Sequence, residues 1–150
     1  MKGFSIIIPV KEINDYLRES IPHLLALDYK DYEVLILPNE KPPSLESVFV
    51  DERVKIIASG AVSPAVKRDM GAEKAQFEYL AFTDDDAYPS LEWLKVAKKT
   101  FSEKNVAALG GPGMVPPNAS KKEIVSGIFY ETLVGGGGLA YRYRPALEGF

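Results

Sequence analysis

The chain has 150 residues, 46% of them hydrophobic and 26% charged, with a formal net charge of −3. That is enough for one domain around one core, and the mild acidity argues against an overall nucleic-acid-binding field. The lack of any cysteine excludes disulfides, thiolate metal sites and cysteine nucleophiles, and no apolar run reaches the roughly 18 residues a membrane span needs.

The opening FSIIIPV (4–10) reads as a first strand and not as a signal peptide, because Pro9, Lys11 and Glu12 end the run early. A helix follows, with Ile13, Tyr16, Leu17, Ile21, Leu24 and Leu25 on one stripe. Pro22 sits inside that stripe and is expected to kink or restart the helix. His23, the only histidine, is given a surface or packing role. YEVLIL (32–37) and RVKIIA (53–58) are the second and third strands. A second helix opens at Ser63, a cap, with Pro64 at its first position. EYLAFT (78–83) is the fourth strand, and a third helix is capped by Ser90 and packs through Leu94, Ala97 and Phe101. NVAALG (105–110) reads as a fifth strand.

These runs are rich in Ile, Val and Leu without strict alternation, as in strands covered on both faces. Strand and helix alternate at intervals of roughly 20 to 30 residues, which predicts βαβ units: an α/β fold with a mainly parallel sheet flanked by helices. After residue 110 the texture turns to glycine and proline. One short helix is expected over 121–133, Gly135 to Gly138 as a mobile loop, and AYRYR (140–144) as a strand carrying Arg142 and Arg144 on one solvated side.

Three consecutive aspartates, Asp84, Asp85 and Asp86, follow the fourth strand. They read either as a solvated acidic turn or as a cation site, since ligands of open parallel sheets bind at the carboxyl ends of strands. Carboxylates on alternate residues suit a hard divalent cation, which could also neutralise a diphosphate. Glycine-rich phosphate cradles are missing: the loop PVKEIN after the first strand holds no glycine, and neither GGPG nor GGGG precedes Gly-Lys-Ser/Thr.

The segments SIIIPVKEINDYLRESIPHLLALDYKDYEVLILPNE, AVSPAVKRDMGAEKA and EYLAFTDDDAYPSLEWL, in that order and spacing, resemble the start of a family 2 glycosyltransferase of the GT-A fold. The likeness covers about the first 115 residues, and GGPGMVPP after the fifth run fits it too. It implies that Asp84 and Asp86 hold the two ends of the family's Asp-x-Asp motif, which carries a nucleotide-sugar donor. Asp86 would be the direct ligand of Mn²⁺ or Mg²⁺ bridging the diphosphate, with Asp84 at the ribose or at metal-bound water. Asp85, between them, is read as simply exposed beside the donor. Pro9 and Val10 match a strand end whose backbone lines the base, and Glu12 a frequent acidic position after it. Arg68 matches the arginine of an Ala-Arg-Asn-x-Gly helix and could meet the acidic cluster or the phosphates.

Two departures stand out. Asp69 replaces the family's asparagine, and PNEK puts Pro38 and Asn39 where two aspartates usually stand, one of them reading uracil. A UDP-sugar remains the expected donor, but the base is left open, because Asn39 both donates and accepts. The carboxylates after Glu103, namely Glu123, Glu131 and Glu148, lack the family's acidic context, so the general base is not found in this chain. The expectation is a single, truncated domain: 1–115 the donor-binding half, 116–150 the start of an acceptor region. The implied reaction is inverting and metal-dependent, in polysaccharide biosynthesis, with a saccharide or lipid-linked acceptor and no nucleic acid. Alone, the chain would bind donor but transfer sugar poorly. A cytoplasmic setting is expected, with any attachment to the inner face of the membrane left to other parts, and oligomerisation is open. Two alternatives stand beside this: a nucleotidyltransferase, and a non-catalytic nucleotide-binding or assembly domain.

Overall fold

The computed structural model describes residues 2–116 and 119–144, which fall into two compact units, 1–103 and 104–150. The first contains β1 (Phe4–Pro9), α1 (Asp15–Leu25), β2 (Tyr32–Leu37), a 3-10 turn (Ser47–Phe49), β3 (Val54–Ile56), α2 (Pro64–Lys74), β4 (Tyr79–Phe82) and α3 (Trp93–Glu103). All strand pairs are parallel, in the order β3-β2-β1-β4. The chain steps outward from β1 to β3 and then crosses back to lay β4 on the other side of β1. The switch point therefore lies between β1 and β4, where open sheets leave a crevice at the strands' carboxyl ends.

β2 is buried throughout and β1 nearly so, as expected of strands covered on both faces. On one face Ile6, Ile8, Val34 and Ile36 pack with Leu17, Ile21 and Leu24 of α1 and with Leu94 and Ala97 of α3. On the other, Ile7, Leu35 and Leu37 meet Met70 and Ala72 of α2. There α2 comes in so close that a Cβ on Gly71 would stand 2.6 Å from Ile7 Cγ2. Helix starts follow their caps: Asn14 accepts from Leu17 N–H and Ser63 from Val66 N–H.

A buried carboxylate ties the amino ends of the strands together. Glu33, 1% exposed, accepts from Ser5 Oγ at 2.6 Å and from Lys55 Nζ, Gln76 N and Gln76 Nε2, each at 2.8 Å. Burial alone would raise its pKa, but these donors outweigh it and hold the carboxyl below its ordinary value.

Several expectations are corrected. Residues 105–110 form no strand, and Val106 and Leu109 are exposed: apolar content makes a strand only where a neighbour completes its ladder. α1 runs unbroken through Pro22, because Ile21 and Leu24 on either side of the proline are fully buried and hold it. Tyr16 is 62% exposed, off the buried stripe. α3 begins at Trp93, three residues after Ser90, whose carbonyl rather than its side chain takes the Trp93 N–H. The surface role expected of His23 holds: it is exposed, its ring 4.9 Å from that of Tyr88.

The second unit holds α4 (Lys121–Tyr130), started by a Ser120–Glu123 capping box, and α5 (Leu133–Gly136), followed by a 3-10 stretch (Gly137–Tyr143). The glycine run is thus not an open loop: Thr132 caps α5 by accepting from Gly135 N–H. Nor is AYRYR a strand; Arg144 turns back to donate to Glu131 O. Glu148 lies outside the described residues. No helix among the described residues is long and apolar enough to cross a membrane.

Candidate functional site

The acidic turn follows β4 directly, at the carboxyl edge of the sheet beside the switch point. It is held from both sides. Arg68 of α2 donates to Asp84 Oδ1 at 3.0 Å, and Asn14, the α1 cap, donates through Nδ2 to Asp85 Oδ2 at 2.5 Å. Asp85 is therefore not simply exposed but half-buried and tied to the start of α1. Asp86 is exposed and makes no side-chain hydrogen bond or ion pair among the described residues. Two of the three carboxylates are spent on fixing the turn, and the third faces solvent unpartnered.

Across β1, two clefts open over the carboxyl ends of β1 and β2. One, of about 320 Å³, has apolar walls from Pro9, Val10, Val62 and Pro64 and is lined besides by Lys11, Asn39 and Lys67. The other, of about 570 Å³, shares Lys11 and Asn39 with it and extends past Glu12 to Arg18, whose guanidinium pairs with both oxygens of Glu46 at 2.8 Å. Val10 is buried, its N–H donating to Leu37 O and its carbonyl accepting from Lys67. Its backbone is thus committed inside the protein, and what it offers the cleft is side-chain surface.

Lys67 is the residue that sequence reasoning missed. It is 3% exposed, yet its ammonium donates to Val10 O (2.6 Å), Leu37 O (3.2 Å) and Asn39 Oδ1 (2.6 Å). Burial pushes its pKa below the ordinary lysine value. Lys67 and Arg68 are consecutive on α2, so one helical turn reaches both halves of the region: Lys67 to the ends of β1 and β2, Arg68 to the acidic turn.

The family model described as glycosyl transferase family 2 matches residues 5–142. The chain belongs to that family. An uncharacterized glycosyltransferase of Rickettsia conorii is 27% identical over 105 residues, covering 67% of this chain and 17% of that protein. One from Haemophilus influenzae is 32% identical over 94 residues, covering 59% of this chain and 38% of its own length. Among solved structures, S. aureus TarS residues 1–349 superpose with a TM-score of 0.62 at 21% identity, covering 79% of this chain and 38% of that one. The same TarS fragment in complex with UDP-GlcNAc gives 0.61 at 21% identity, covering 79% and 36%. The fold is that of the GT-A glycosyltransferases. This family 2 chain spans well under half the length of these relatives.

Within the family 2 pattern, Lys67 stands at the alanine of Ala-Arg-Asn-x-Gly, and Gly71 at its glycine. Residues four apart on a helix share a face, and a glycine at the second position marks that face as the one pressed on the sheet. A lysine on the same face was the signal for a buried cation. The role of Asn14 was less legible, since capping explains it fully until its free amide is placed beside Asp85.

Proposed function

We propose that this chain binds the nucleoside-diphosphate-sugar donor of a glycosyltransferase, with the nucleoside in the clefts over β1 and β2 and the diphosphate toward the acidic turn. The observation that carries this is the division of labour among the aspartates: Asp84 and Asp85 are anchored by Arg68 and Asn14, which leaves Asp86 presented and unpaired beside the switch point.

The donor set suits a hard divalent cation. Among the described residues no three His, Asp or Glu side chains gather to enclose a metal. Mg²⁺ or Mn²⁺ would be taken up through Asp86 and through the Asp84 oxygen that Arg68 leaves free, with the rest of the shell from phosphates and water. When bound, such an ion would offset the charge of the departing nucleoside diphosphate. The chain's own contribution is to hold the turn: Arg68 neutralises Asp84 and keeps its carboxylate aimed, while Asn14 fixes Asp85 against α1. An inverting displacement at the anomeric carbon is the reaction these residues would serve. No residue of the chain is assigned as the base that deprotonates the acceptor, and a saccharide or lipid-linked acceptor is part of the same proposal.

Calorimetric titration with nucleoside diphosphates, with and without Mn²⁺, tests this. Metal-dependent binding that weakens by roughly tenfold or more in Asp86→Ala is the expected result. Binding indifferent to metal and to that substitution would refute it.

A further inference from the structure

Among the described residues, the two most exposed large apolar side chains lie away from the donor clefts, in the second unit: Leu133 is 78% exposed and Val134 86%. They stand in a region of opposite charge to the rest. Residues 104–150 carry five Lys and Arg against three Glu, a net +2, while the whole chain is at −3, which leaves −5 on 1–103.

Local structure explains why these side chains face outward. Gly127 marks the inner side of α4, where a Cβ would collide with Val115. At roughly 100° per residue, Lys121, Lys122, Val125 and Phe129 fall on the opposite side, and all four are exposed. Beyond that helix, Gly135 and Gly136 press on the carbonyls of Phe129 and Tyr130, an approach that leaves no room for a Cβ. The glycines thus take the inside of α5, and Leu133 and Val134 are left in solvent. Tyr141 and Arg142, in the 3-10 stretch that follows, are exposed as well.

We infer that the exposed apolar side chains of α4 and α5 dock on an anionic phospholipid surface. Val125, Phe129, Leu133 and Val134 enter the headgroup boundary, and Lys121, Lys122 and Arg142 meet the lipid phosphates. The composition of the face distinguishes this from a protein partner, because lysine is depleted where protein interfaces are buried. A lipid surface accepts lysine: the ammonium stays among the headgroups while its methylene stem lies along the apolar part. No helix among the described residues can cross a bilayer, so the contact lies in the headgroup layer and does not span it. The attraction belongs to the second unit, since 1–103 carries charge of the lipids' own sign.

The test is co-sedimentation of the 150-residue chain with vesicles of phosphatidylcholine alone and of phosphatidylcholine mixed equally with phosphatidylglycerol. The mixed vesicles should carry the chain down and the neutral ones far less, and high salt should weaken the binding. Leu133→Ser together with Val134→Ser should cut the affinity roughly tenfold or more. Lys121→Glu together with Lys122→Glu should cut it by roughly tenfold or more and erase most of the preference for the anionic lipid. Both pairs stand in solvent, so far-UV circular dichroism and the urea midpoint should match those of the original chain. Binding to neither vesicle, equal binding to both, or binding that neither pair of substitutions alters overturns the inference. So does self-association in sedimentation velocity that Leu133→Ser with Val134→Ser abolishes, because the face then belongs to a second copy of the chain.

Discussion

Replacing Glu33 should destabilise the first unit more than any single change at the surface. Its carboxylate takes four donors in a site only 1% exposed. Glu33→Ala strands Ser5 Oγ, the Gln76 amide N–H and Gln76 Nε2 together, and leaves Lys55 without its partner. Removing one member of a buried, hydrogen-bonded ion pair costs about 3–5 kcal/mol, a large share of the roughly 5–15 kcal/mol that holds a domain folded. Solvent reaches Lys55, which is 43% exposed, so the lower end, about 3 kcal/mol, is expected. In urea the midpoint should fall with the slope unchanged. The pH dependence has a definite sign. The folded carboxyl lies below its ordinary value, so its stabilisation is complete above the unfolded pKa of about 4.3 and fades as pH falls through the lower folded value. The gap between the original chain and Glu33→Gln should therefore be widest near neutral pH and close in strong acid. A loss under about 1 kcal/mol, or a gap that does not shrink in acid, would refute the account of this network. Because Gln76 lies two residues beyond the end of α2, the same substitution should also loosen the helix that carries Lys67 and Arg68.

Gly71→Ala drives a methyl to 2.6 Å from Ile7 Cγ2 and should cost about 1–3 kcal/mol in chemical denaturation, with weaker nucleotide binding as α2 is pushed from β1. Arg68→Ala breaks a pair whose side chains are 36% and 68% exposed, so stability should change by less than about 1 kcal/mol while donor affinity falls measurably in the same titration. Asn14→Ala removes the α1 cap and the tether on Asp85, and a loss of about 1 kcal/mol in thermal unfolding is expected together with weaker metal-dependent binding.

The chain pattern carried the architecture because β1 and β2 are buried on both faces and therefore read as unbroken apolar runs. It failed at 105–110 for the converse reason: Val106 and Leu109 are apolar enough for a strand, but pairing depends on a neighbour that composition does not reveal. At Pro22 the local rule for a helix breaker lost to tertiary packing of Ile21 and Leu24, which no window of sequence contains. The acidic turn was legible as a cluster, yet the unequal roles of its members were not, since Asn14 and Arg68 lie 71 and 16 residues away from the aspartates they hold. Lys67 was hidden by its neighbour: a charge run on a helix reads as a solvated face, and only the close seating of Gly71 on Ile7 shows which side is turned inward.

The most direct test of the acidic turn as the diphosphate end of the site is the ³¹P spectrum of a bound nucleoside diphosphate titrated with Mn²⁺. The account predicts that both phosphorus lines of the protein-bound nucleotide broaden at lower Mn²⁺ than those of the free nucleotide, and that this difference disappears in Asp86→Ala under conditions where nucleotide is still bound. Bound nucleotide whose broadening is the same in that variant would mean that the cation is not held by the acidic turn.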